Sequence, residues 1–95
     1  MSPRDVVIVG CGGHGREAYG VIRDINAAAD RPLWNVLGFV DDKPSALNRA
    51  RVLRLGAPYL GPLEWLAEVG ADARVVVGIG DSRVRQSVDL SLIHI

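Results

Sequence analysis

Asp5-Val6-Val7-Ile8-Val9-Gly10-Cys11-Gly12-Gly13-His14-Gly15 is the stretch that decides the fold. Val6, Val7, Ile8 and Val9 form a continuous β-branched run with no polar alternation. That is the pattern of a strand buried on both faces, as in a parallel sheet. Gly10, Gly12 and Gly15 then occupy the three slots of G-x-G-x-x-G. The motif is weak in isolation, but here it follows a buried strand and opens a helix, which is the context it requires. The spacing predicts a helix over residues 13–28, with Ala18, Val21, Ile22 and Ile25 on one apolar stripe. In such a turn Gly10 permits the tight bend, Gly12 lets a ligand reach the backbone, and Gly15 lets the helix pack close to the strand. The free N–H groups of the helix start favour an anion or polar oxygens. The simpler reading is a glycine-rich turn with no ligand.

Outward from this turn, residues 34–40 read as a second buried strand, closed by the turn Asp41-Asp42-Lys43-Pro44. Residues 44–54 are polar and arginine-rich and read mostly as loop. Residues 56–61 carry too many chain breakers for a regular strand. A helix is expected over residues 62–69, with Pro62 near its first position and Gly70 as its stop. Residues 74–80 read as a further buried strand, and Asp81 or Ser82 can cap a last helix. Strands alternate with helices, so the expected class is α/β with a parallel sheet, a Rossmann-like βαβ domain.

Composition bounds the function. A 95-residue chain makes one domain, and its 48% hydrophobic content is ordinary for a globular protein. Net charge is zero and the basic residues are scattered, so there is no electrostatic case for nucleic acid or an anionic membrane. No apolar run approaches the roughly 20 residues that span a bilayer. The start of the chain lacks the features of a secretory signal, and a cytoplasmic location is expected. One cysteine excludes an internal disulfide framework, and Cys11 reads as a small loop filler rather than a nucleophile. Trp34 and Trp65 read as core or partial-core aromatics. No metal site is expected.

Several residues are candidates for a binding site. His14 stands at the helix start, where it can donate a hydrogen bond to a ligand; the plainer alternative is a solvent-facing side chain with no role. Asp41 and Asp42 lie at the end of the second strand, where dinucleotide-binding domains hold the acid that accepts ribose hydroxyls. Turn chemistry alone also explains the pair. Gly80 ends the strand over residues 74–80 and can let backbone approach the same ligand, with Asp81 more simply a helix cap.

Val-Ile-Val-Gly-Cys-Gly-Gly-His-Gly-Arg-Glu, Gly-Phe-Val-Asp-Asp, Gly-Ala-Pro-Tyr-Leu-Gly-Pro and Gly-Ile-Gly-Asp-Ser-Arg-Val-Arg follow one another over residues 5–85. In order and spacing they resemble the N-terminal domain of the PglD/NeuD-type sugar acyltransferases. The resemblance implies a bacterial enzyme whose Rossmann-like domain binds a sugar nucleotide, such as a UDP-linked amino sugar, for use in glycan biosynthesis. It implies substrate contacts at Gly12, Gly13, His14, Asp41, Asp42 and Gly80. It further implies a left-handed β-helix that trimerises the protein, binds acetyl-CoA and carries the catalytic histidine as general base. No hexapeptide repeats of such a β-helix occur in this sequence. The expected organisation is therefore a substrate-binding domain over residues 1–89, with no catalytic residue and no cofactor of its own. Residues 90–95 resemble translated adapter sequence; the competing reading is a natural short chain with an internal deletion. A homotrimer is expected only through the β-helix.

The rival reading is an NAD-binding fragment of an oxidoreductase, which G-x-G-x-x-G and an acid after the second strand would suit. Against it, Asp41 stands 26 positions beyond Gly15, where the usual separation is about 20, and His14 has no evident task there. A stand-alone nucleotide sensor has no positive feature in its favour.

Overall fold

A computed structural model describes residues 2–70 and 72–78. The chain runs β1 (Arg4–Val9), α1 (Gly13–Ala28), β2 (Trp34–Val40), α2 (Ala46–Arg54), β3 (Tyr59–Gly61), a 3-10 helix (Leu63–Glu68) and β4 (Arg74–Val77). All strand pairs are parallel, and the sheet order is β3-β2-β1-β4. This is the expected α/β Rossmann-like arrangement, and no β-helix occurs among the described residues.

Alternation along β1 assigns its side chains to two layers. Val6 and Ile8 pack with Ile22 of α1, Val52 of α2 and Phe39 on one face. Val7 and Val9 pack with Val40 and with Leu66 of the 3-10 helix on the other. β1 is thus buried on both faces, which is why its sequence carries no polar alternation. Trp34 packs at the margin of the first cluster and Trp65 at the margin of the second, both partly buried. Between Val6 and Val7 the pairing of β1 with β2 slips by one residue, from Val36 to Gly38. That slip puts Phe39 on the helical face and Val40 on the opposite one.

The structure corrects several expectations. Residues 44–54 are not mainly loop: nine of them form α2. Ser45 caps it, its Oγ accepting from the Asn48 backbone N–H at 3.0 Å. Ala46, Leu47 and the arginines are strong helix formers, and Val52 is fully buried against the sheet. Residues 59–61 do pair as a short strand despite their breakers. The helix expected over residues 62–69 is a 3-10 segment, preceded by Pro62 as its N-cap and closed by Val69 rather than Gly70. The apolar stripe of α1 is rotated from the expected one. Ile22 is buried, whereas Val21 is 58% and Ile25 41% exposed. The inward line instead includes Gly15, Tyr19, Ile22 and Asn26. Asn26 seals the entry into β2, accepting from Leu33 N (2.9 Å) and Trp34 N (3.0 Å) and donating to Trp34 O (2.8 Å). The expected last helix and the end of the strand at residues 79–80 lie outside the described residues, as does the tail at residues 90–95. No helix among the described residues is long and apolar enough to cross a membrane.

Candidate functional site

The glycine loop is fixed from three sides. Gly10 has a φ of 103°, which turns the chain sharply out of β1. Gly15 then sits directly on that turn. A Cβ on Gly15 would lie 1.8 Å from the Gly10 carbonyl oxygen, so only glycine allows α1 to start there. Gly78, just beyond β4, is equally constrained: a Cβ on it would lie 2.4 Å from Gly15 Cα. Its N–H donates to Val9 O at 2.8 Å, locking the end of β4 beneath the loop.

Asp41 ties the loop to β2. One carboxylate oxygen accepts from the Cys11 backbone N–H at 2.9 Å and the other from the Lys43 N–H at 3.1 Å. The Asp41 backbone is held as well, donating to Gly61 O at 3.0 Å and accepting from Tyr59 Oη at 2.7 Å. Arg16 makes the third tie. Its Nη1 donates to Cys11 O and to Asn48 Oδ1, both at 2.9 Å, joining the loop to α2. Arg49 lies 4.6 Å over the Tyr59 ring and braces α2 against β3.

Cys11 is enclosed by these ties and fully buried. Burial, reinforced by the negative charge of Asp41, pushes its thiol from an ordinary 9.0 up to about 11, against smaller opposing effects of Arg49 and Arg16. A thiolate is the nucleophilic form, so this cysteine is a filler and not a reactive centre.

What remains open is a cleft of about 220 Å3 at the carboxyl ends of the strands. It is lined by the glycine loop (Gly10, Gly12, Gly13 and His14), by Asp41, Lys43, Ser45 and Asn48 from the end of β2 to the first turn of α2, and by Gly78. A Cβ on Gly12 would meet nothing nearer than 4.0 Å, so the second glycine faces open space and not packing. The cleft lies where β1 continues outward to β2 and β3 on one side and β4 returns on the other. Open α/β sheets bind ligands at such a switch point.

The structure therefore brings Gly12, Gly13, His14 and Asp41 together, with Gly10 and Gly15 shaping the loop. Asp42 turns elsewhere: its Oδ1 accepts from Leu63 N at 2.9 Å and caps the 3-10 helix. Gly80 lies outside the described residues. Lys43, Ser45, Asn48 and Gly78 were not legible as site residues. Ser45 carried a signal, a capping residue ahead of good helix formers. Gly78 is two positions earlier than Gly80, the glycine singled out in the sequence. Asn48 carried none, because its place depends on where α2 crosses the loop.

No curated protein and no solved structure matches the chain significantly. A family model described as the PglD N-terminal domain matches residues 5–89, nearly the whole sequence. With the four motifs, the sheet order and the glycine loop in agreement, the chain belongs to the PglD N-terminal domain family.

Proposed function

We propose that this domain binds a nucleoside-diphosphate sugar, UDP-linked, in the cleft above Gly12 and holds its sugar for acetyl transfer within a sugar acetyltransferase. The observation that carries this reading is the open Gly12–Gly13–His14 edge, facing the switch-point cleft in a member of this family. Backbone N–H groups at the start of α1 suit diphosphate oxygens. His14 and Lys43 line the walls and can donate to them or to sugar hydroxyls. Asp41 holds the loop in its binding form, and Asp42 shapes the neighbouring turn. In this reading the acetyl group comes from acetyl-CoA and the catalytic histidine from a trimeric β-helix domain, as the family resemblance implies, in the cytoplasm.

A dinucleotide is less well served. The acid at the end of β2 would there accept ribose hydroxyls, but each oxygen of Asp41 already accepts a backbone N–H. The test is thermal unfolding of the 95-residue chain with UDP-N-acetylglucosamine, UDP or NAD. The uridine ligands should stabilise it by about 2.7 kcal/mol at a hundredfold excess over Kd, and NAD should leave it unchanged. Stabilisation by NAD with none from the UDP ligands would overturn the reading.

A further inference from the structure

Among the described residues, Asn48 commits only one end of its side-chain amide to holding the fold. It projects from the first turn of α2 into the cleft wall. Its Oδ1 is taken by Arg16 Nη1 at 2.9 Å. That bond fixes the orientation of the amide, because the guanidinium can only donate. The Nδ2 end is the part of Asn48 that approaches Gly12, standing 4.0 Å from where a Cβ on Gly12 would be. Among the described residues no acceptor takes Nδ2. Arg16 is itself anchored, since the same nitrogen donates to Cys11 O at 2.9 Å. The amide donor thus stands beside the glycine where a diphosphate would approach the backbone.

We propose that Asn48 is a ligand-binding residue, donating from Nδ2 to a diphosphate oxygen seated over Gly12, and that Arg16 is the positioning residue that aims it. This rests on the reading that the cleft holds a nucleoside-diphosphate sugar. The site then selects an acceptor at that point, because a donor group on the ligand would face Nδ2 without a partner. α2 contributes to recognition, although neither the glycine motif nor the acidic pair lies on it.

The test is isothermal titration of UDP and of UDP-N-acetylglucosamine into the full chain and its variants. Asn48→Asp keeps the acceptor for Arg16 but replaces the donor with negative charge. It should weaken both ligands about tenfold or more, with the unfolding temperature unchanged. Asn48→Ala, a second variant that removes the side chain without adding charge, should weaken both by about threefold to tenfold. Arg16→Ala should weaken binding in the presence of Asn48, and much less in the Asn48→Ala background. Wild-type affinity for Asn48→Asp or Asn48→Ala overturns the binding role, and strictly additive losses overturn the positioning role. If the wild-type chain binds neither ligand, both this proposal and the reading of the cleft fall. Binding by the wild type with no effect of either Asn48 variant sinks this proposal alone.

Discussion

At the scale of single residues, the glycines of one motif do different work, and substitution separates them. Gly15 has no room for a methyl group, because the Gly10 carbonyl oxygen occupies its place. Gly12 has room, with φ at −76° and nothing nearer than Asn48 Nδ2 at 4.0 Å. Gly15→Ala should therefore destabilise the fold by about 3 kcal/mol or more, as overpacking against rigid backbone does. Gly12→Ala should leave the unfolding temperature nearly unchanged and weaken UDP binding. Chemical denaturation and titration of the two variants check this pair, and a large stability loss for Gly12→Ala would contradict it. Cys11 gives a pH signature. Its folded pKa of about 11 lies above the ordinary 9.0. The neutral thiol is the form the fold prefers, so the contribution is complete below pH 9 and is lost as pH rises through about 11. Wild type should lose stability over that window relative to Cys11→Ala, and parallel denaturation curves for the two proteins from pH 8 to 11 would refute it.

At the scale of elements, α2 is the main departure from the sequence reading. Its residues are polar and its hydrophobic pattern is sparse, with one fully buried side chain, Val52. Local capping and the ties to Arg16 and Tyr59 hold it in place. Ser45→Ala removes the side-chain cap and should cost about 1 kcal/mol. For a domain of this size that is a fall of roughly 4–8 °C in Tm, readable by calorimetry. An unchanged Tm would mean that tertiary contacts alone hold the helix. α1 shows the complementary case. Its existence and limits follow from periodicity, but its rotation is set by Gly15 against the Gly10 carbonyl, which turns Val21 and Ile25 outward.

At the scale of the molecule, two clefts stand at opposite ends of the sheet. The larger, of about 460 Å3, is lined by residues including Arg4, Asp5 and Asp72 near the amino ends of the strands. The smaller lies at the carboxyl ends, beside the glycine loop. Volume favours the first, whereas topology and converging polar groups favour the second. We expect UDP to shift the amide resonances of Gly12, His14, Lys43, Asn48 and Gly78 and to leave Arg4, Asp5 and Asp72 in place. A two-dimensional NMR titration reads this directly, and shifts confined to the amino end would move the site.

The strand–loop–helix at the amino terminus, the parallel α/β class and the family were all legible in the order of residues. Each rests on local signals: an unbroken β-branched run, glycines at fixed intervals and a helical period. That Gly12, Gly13, His14 and Asp41 line one cleft was also readable, because the end of a strand in a parallel sheet is a position that order along the chain already specifies. The rest depends on how distant segments pack together. That packing uses Asp41 to tie the loop to β2, turns Asp42 away to cap the 3-10 helix, and brings Asn48 beside Gly12. Those outcomes depend on hydrogen-bond partners 21 to 32 positions apart in the chain, which no local period or motif encodes.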